Sequence, residues 1–341
     1  MSGSPPGRPL GVLLAFILPP GVGHAYIGQT RRGIVWLVAC LLVWGAAVAG
    51  APALGGRGAL AALAVAYALR WLGPAMDVLA MPRAAFRAMN LAALLIVLAV
   101  STVTTLVTAL GARVFFLQAF KVPSGAMVPT ILVGDHVFVD MLAYRTRAPR
   151  YGEVMVFAFP EQPRQDFIKR VIALPGDQLD VKNGHPWLNG WEVPHCKVGS
   201  YSYVESEVPT RHEGELDVEF LGDQAYLTFY DAAAGAFTEQ QGPFHAKPGE
   251  YWVMGDNRNN SHDSRMWFQG AGGGVPQKLL RGHTLVVWLS IREDGSIDGS
   301  RTGQSVEGPT LPKGSEALQP ALDACLQACP PLARTTPPPP K

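Results

Sequence analysis

A chain of 341 residues is long enough for one sizeable domain with accessory segments. Hydrophobic residues make up 48% and charged residues 16%, a balance shifted from ordinary soluble proteins toward membrane proteins. A formal net charge of +1 gives no field that would gather nucleic acid, and four cysteines are too few for a disulfide scaffold.

The segment from Leu10 to Ile27 carries no charge but is interrupted by Pro19, Pro20, Gly21 and Gly23. This predicts a broken helix or re-entrant hairpin over residues 1–32 in place of a clean span. A cleavable secretory leader fits worse, because only Arg8 precedes the apolar run and no convincing small-residue cleavage site follows it. Gly33–Gly56 and Ala88–Ala112 are uncharged and each long enough for a hydrocarbon core, which takes about 20 apolar residues in a helix. Between them, Gly58–Met81 is apolar apart from Arg70 and Asp77, which lie two helical turns apart, placed to face one another or a neighbouring helix. A transmembrane region of about three spans is therefore expected over residues 33–115. Arg31 and Arg32 precede the first span, and Arg83 and Arg87 the last. Basic flanks face the cytoplasm, so the chain from about Arg113 onward is expected outside it.

From Leu132 the pattern changes to short β-rich runs such as 136–140, 154–159, 167–174 and 284–289, with turns at Pro175-Gly176-Asp177, Asn183-Gly184 and Asn189-Gly190. A mostly antiparallel β domain is expected over 116–299, with a hairpin-like insertion near 198–247. The tail 300–341 is rich in Pro, Gly and Ser and predicts a largely disordered segment, with a short helix from Ser315 to Cys329. Cys40 reads as a small buried side chain, Cys196 stands alone beside His195, and Cys325 and Cys329 have a spacing that leaves a bridge open. His185, His195, Cys196 and His212 lack compact zinc-ligand spacing, so no metal site is expected there.

Three segments carry the chemistry: Phe120-Lys-Val-Pro-Ser-Gly-Ala-Met-Val-Pro-Thr130 with Gly134-Asp135, then Asp166–Asp177, then Gly255–Arg265. In this order, behind an apolar span, they resemble the three boxes of the type I signal peptidase family, over roughly Phe120 to Ser290. One box alone would be weak; three in order are specific. The resemblance implies N-terminal transmembrane helices, a mostly antiparallel β catalytic domain outside the membrane, and a multi-pass protein of the bacterial cytoplasmic (inner) membrane. It implies a Ser/Lys-dyad hydrolase that cuts signal peptides of secretory precursors, with the lipid bilayer as its other partner, no nucleic acid and no metal or cofactor.

The roles implied by the resemblance fall on particular residues. Lys169 matches the general base, Ser124 the oxyanion hydroxyl, and Ser261 the hydroxyl that orients the lysine. Asp263 and Arg265 match a bracing ion pair, Asp256 and Arg258 a turn-fixing pair, and Met127 and Arg170 lie beside the reacting groups. A lysine acts as base only when neutral, which means lowering its pKa by roughly 2–3 pH units from about 10.4. Phe167, Ile168, Val171 and Ile172 are suitable apolar neighbours for that. An isolated strand lysine would more simply be solvated and paired with Asp166 or Asp177. His136 and His262 match no catalytic position and read as surface or packing residues.

The family's nucleophile precedes the Met of the first box, and here that position is Ala126. A methyl group cannot attack a carbonyl, and loss of a serine nucleophile in another protease costs on the order of a millionfold in rate. Three readings follow: a replacement introduced to trap substrate, a natural replacement leaving a signal-peptide-binding pseudoenzyme or regulator of an active paralogue, or transfer of attack to Ser124. The sequence carries no tag, which favours natural replacement. Transfer to Ser124 rests on an extended backbone, where residues two apart share a face.

Overall fold

The computed structural model describes residues 7–50, 55–115, 117–205, 210–232, 240–292, 294–328 and 335–339. The chain divides into two compact units, Met1–Leu117 and Gln118–Lys341.

The first unit is helical: α1 (Arg8–Ile17), α2 (Val22–Tyr26), α3 (Thr30–Gly50), α4 (Gly55–Ala80) and α5 (Leu91–Phe115). Helix α1 stops because Leu18 turns to extended geometry and the two prolines that follow cannot donate to a continuing helix. Gly21 then takes φ +96°, and a Cβ there would lie 2.5 Å from the Gly33 carbonyl oxygen, so only glycine fits the turn between α1 and α2. Among the described residues, Thr30–Gly50 and Ala61–Ala80 are long and apolar enough to cross a membrane, and Leu91–Val107 is a shorter apolar stretch. Residues 51–54, inside the expected 33–56 span, lie outside the described residues. Arg70 and Asp77 do not face each other. Asp77 accepts from Arg32 Nη2 at 2.6 Å and Trp36 Nε1 at 2.7 Å, and lies 2.9 Å from His24 Nε2; Arg70 donates to Thr105 Oγ1 at 2.5 Å.

The second unit is built from antiparallel strands: β1 (Leu117–Lys121), β2 (Asp135–Asp140), β3 (Val154–Phe159), β4 (Gln162–Ala173), β5 (Gln178–Lys182), β6 (His185–Leu188), β7 (Trp191–Glu192) and β8 (His195–Glu205). They continue with β9 (Thr210–Leu221), β10 (Gln224–Asp231), β11 (Gln240–His245), β12 (Glu250–Met254), β13 (Val275–Pro276), β14 (Leu280–Ser290) and β15 (Gln304–Ser305). One sheet runs β1-β2-β14-β3-β4-β12-β13 with β15 on β14; the others are β10-β9-β8 and β11-β5-β6-β7. Strand β3 is apolar throughout and lies between β14 and β4, where both of its faces are buried. Strand β4 is exposed over its first residues and enters the interior at Lys169.

The tail corrects the expectation of a largely disordered segment. Strand β15 pairs with Val286 and Val287 of β14, and Arg301 reaches Asp135 at 2.5 Å and the Thr130 carbonyl at 3.1 Å. Helix α7 (Gln319–Gln327) buries Leu322 and Cys325 against Val198, Leu216 and Val218. A disulfide joins Cys325 to Cys196, 129 residues away, so Cys196 is not alone and Cys325 is not left for Cys329, which lies outside the described residues. Closing a loop of that size removes unfolded-state freedom worth about 5 kcal/mol in chain-entropy terms. A short strand pairing, side-chain burial and one covalent link together hold the tail where its composition predicts disorder.

Candidate active site

The first box is a loop closed on itself. Val122 N donates to the Asp135 carbonyl at 2.8 Å, and Gly134 N returns to the Val122 carbonyl at 3.0 Å. Within it Ser124 is extended and exposed, after which Gly125–Met127 form a 3-10 turn. The backbone between Ser124 and Ala126 is therefore not extended throughout, which removes the same-face premise for attack by Ser124. The Met127 side chain is buried among Val122, Ile131, Val137 and Val139, fixing the turn to the sheet. Ala126 is 9% exposed.

Lys169 lies opposite Met155 in the β3–β4 register and is 4% exposed. Its Nζ lies 5.6 Å from the centre of the Phe167 ring, two residues back on the same strand face. Burial lowers its pKa from the ordinary value to about 8; the nearby Asp263 and Asp256 pull it back up in part, and Arg265 opposes them. The alternative of a solvated lysine paired with Asp166 or Asp177 is not what forms. Asp166 pairs with Arg281 at 3.2 Å, and Asp177 accepts from Tyr151 at 2.7 Å. A cleft of about 400 Å³ is lined by Ser124, Gly125, Ala126, Phe167, Ile168, Lys169, Asn260 and His262. Ser124, Ala126 and Lys169 thus open onto one space. His262 is exposed there and stands edge-on to Phe159 at 5.7 Å, while His136 lies beside the Gly134 carbonyl at 3.1 Å.

The third box packs directly behind this cleft. A Cβ on Gly255 would come within 2.3 Å of Ser261 Oγ and 2.4 Å of the Ala126 carbonyl oxygen, so glycine is what lets the two segments touch. Ser261 is 7% exposed. The Asn257 backbone donates to the Ala126 carbonyl at 3.1 Å, and its Nδ2 donates to the Gly125 carbonyl at 3.0 Å and to Tyr203 Oη at 2.8 Å. Asn257 and Asn260 both stand inside the third box, but nothing in their residue type singles them out there as a turn-holding and a cleft-lining side chain.

Buried ion pairs surround the contact. Arg170 holds Asp256 through Nε at 2.7 Å and Nη2 at 2.6 Å, and its guanidinium carbon lies 4.0 Å from the Tyr226 ring centre. Arg265 holds Asp263 at 2.8 and 2.9 Å, and Gly255 N adds a bond to the same carboxylate at 3.0 Å. Burial alone would raise the Asp263 pKa; Arg265, Gly255 and Ser261 together hold it below the usual range. The expected Asp256–Arg258 pair is replaced: Arg258 takes Glu219 on β9, with Nη2 2.6 Å from Oε2. A cation 39 positions away in sequence had no visible claim on Glu219.

Of the polar residues set aside by spacing, Cys196 is in the disulfide and His212 pairs with Asp231. His185 and His195 instead converge with Asp217, their ligand-capable atoms within 4.8 Å of one another.

Residues 95–289 match the family described as signal peptidase, peptidase S26. Signal peptidase I of Pseudomonas aeruginosa is 34% identical over 196 residues, covering 52% of this chain and 66% of that protein. The probable signal peptidase I-2 of Synechocystis sp. is 30% identical over 223 residues, covering 64% and 84%. Signal peptidase I of Aquifex aeolicus is 33% identical over 204 residues, covering 52% and 78%. The chain thus spans just under two thirds of the Pseudomonas relative and more than that of the other two. With more than half of its length matched, this chain belongs to the signal peptidase family.

Proposed function

We propose that this chain is a membrane-anchored signal peptidase I scaffold whose cleft receives signal peptides of exported precursors but does not efficiently cut them. The observation that carries the reading is Lys169: a buried lysine lowered to about 8, opening onto the same cleft as Ala126. A pKa there leaves an appreciable neutral fraction near neutral pH, which is what a general base requires. With a hydroxyl at position 126, Lys169 would take its proton as the oxygen attacked the scissile carbonyl. The Ser124 hydroxyl would donate to the developing oxyanion, a contribution worth roughly 3 kcal/mol in comparable sites. Ser261, Met127 and the Arg170–Asp256 and Asp263–Arg265 pairs position the lysine and the turn without touching the peptide. Ala126 offers a methyl group where that oxygen belongs. The chain as it stands is a binding member of the family, acting as a signal-peptide receptor or a regulator of an active paralogue.

The helices of the first unit supply the anchor, and the β unit lies on the extracytoplasmic side, as the basic residues Arg31, Arg32, Arg83 and Arg87 direct. Residues 33–115 form the spanning region, 116–299 the peptidase-like domain, and the described residues beyond 299 a tail docked on it.

The test is a precursor cleavage assay on the detergent-purified chain beside its Ala126→Ser form. Cleavage restored by the serine form, with peptide binding by both, is the expected result. A serine form that neither binds nor cuts precursor would overturn the proposal.

A further inference from the structure

A second group of chemically capable side chains lies outside the cleft. Strand β8 begins at His195, which pairs in register with Glu219 of β9; Asp217 is two residues from Glu219 and so shares the face that His195 presents. Strand β6, in a different sheet, begins at His185. His185 Nε2 lies 4.0 Å from Asp217 Oδ2, and the two imidazole rings stack with centres 3.8 Å apart.

Hydrogen bonds behind the cluster decide which atoms face inward. Tyr230 Oη donates its proton to Glu219 Oε1 at 2.9 Å. The phenol has no second proton, so at 2.9 Å it accepts one from His185 Nδ1. With Nδ1 engaged by Tyr230, His185 has its Nε2 on the side of Asp217. His195 directs Nδ1 at the Val193 carbonyl, 3.4 Å away, which leaves its Nε2 on the cluster side. Asp217 is 7% exposed, with His185 Nε2 4.0 Å from its carboxylate. Two imidazoles and a carboxylate therefore lie with their ligand-capable atoms within 4.8 Å of one another.

We propose that His185, His195 and Asp217 bind a divalent cation of the zinc class. Two imidazoles and a carboxylate suit zinc, and a ring nitrogen held from behind by a hydrogen bond is the usual support for a ligating histidine. Tetrahedral ligation at about 2 Å sets donor atoms about 3.3 Å apart, so ligation requires the two stacked rings to turn toward a common point, which the exposed His195 is free to do. The exposed edge of His195 leaves room for a fourth ligand from solvent. A bound ion would staple β6 to β8 and β9 beside the Cys196–Cys325 bridge. Through Tyr230, Glu219 and Arg258 it would also stiffen the third box, since Arg258 Nε bonds the Gly255 carbonyl at 3.2 Å.

The experiment titrates Zn²⁺ and Co²⁺ into the chelator-stripped full chain in detergent, by calorimetry and by the visible absorption of bound Co²⁺. His195→Gln and Asp217→Asn are the disabling variants. His212→Gln is the control, because that ring pairs with Asp231 outside the cluster. Metal-free melting curves establish that each variant is folded; the exposed position of His195 makes that variant safe. One equivalent of ion is expected, with a tetrahedral Co²⁺ spectrum, an affinity lowered more than about tenfold by either disabling variant and no change in the control. Binding weaker than about millimolar, or binding unchanged by both disabling variants, would overturn the site and leave a shared proton as what holds the three groups together.

Discussion

Lys169 and Arg170 are neighbours on one strand, both buried, and they are treated in opposite ways. Arg170 points to a face where every charge is answered: Asp256 takes two of its bonds, the Gly152 carbonyl a third at 2.7 Å, and the Tyr226 ring covers its plane. Lys169 points to the other face, where it meets an aromatic ring and makes no salt bridge among the described residues. Strand alternation alone separates them. A fully paired buried charge is committed to structure, whereas an unpaired one is held in a state that lets it exchange a proton.

The sharpest way to break that contrast is chemical. In an Ala126→Ser background, Lys169→Met is expected to lower precursor cleavage by about a hundred- to ten-thousandfold, the range for loss of a positioned base. The serine form itself should gain rate with rising pH as Lys169 loses its proton around pH 8. A pH profile flat across that region, or cleavage that survives Lys169→Met, would show that another group is the base.

The next effect is on stability and falls on the other face. Asp256→Ala leaves the Arg170 guanidinium buried without its carboxylate and is expected to cost about 3–5 kcal/mol in denaturant unfolding. A loss under about 1 kcal/mol would mean the pair is solvated in a way its geometry denies.

Lys169→Met should act in the opposite sense. The folded-state pKa lies below the unfolded one, so between about 8 and 10.5 the unfolded chain holds a proton that the folded chain has released. Stability of the parent chain therefore rises with pH through that window and is lower, and level, beneath it. At neutral pH the methionine variant should be more stable by up to about 3 kcal/mol, with the advantage fading above pH 8. A methionine variant no more stable than the parent at pH 7 would place the ammonium in solvent.

The smallest effect sharpens the comparison at its border. Asn257→Ala removes the side-chain donor to the Gly125 carbonyl while the backbone bond to Ala126 remains, at a cost of about 1–3 kcal/mol. In the serine background, catalytic efficiency should fall by more than the stability loss accounts for, because the turn carrying residue 126 is what loosens. Equal losses in both measurements would assign Asn257 to general stability.

What could be read from the sequence follows the same divide. The three boxes, the apolar setting of Lys169 and the methyl at position 126 are local facts, visible in runs of about ten residues. Antiparallel strands were legible because their alternation and their Asn-Gly turns are local too. Partners chosen across the fold were not. Glu219 for Arg258, Asp135 for Arg301 and Cys325 for Cys196 are separated by 39, 166 and 129 positions, and no periodicity links such pairs. The convergence of His185, His195 and Asp217 escaped for that reason, since strands of two different sheets bring them together. Asn257 is a different failure: it lay in plain view, and its two backbone contacts are set by a turn whose shape the residue types do not specify.

Arg301 also bears on how small this fold can be made. It closes over Asp135 and the Thr130 carbonyl from a stretch that follows the last long strand, ten residues beyond residue 291. Trimming the chain at the end of the boxes would strand a wholly enclosed carboxylate at the base of the first loop. The autonomous folding fragment therefore extends at least through Cys325, and a truncation series should display a cliff at each of those two anchors in place of a gradual decline.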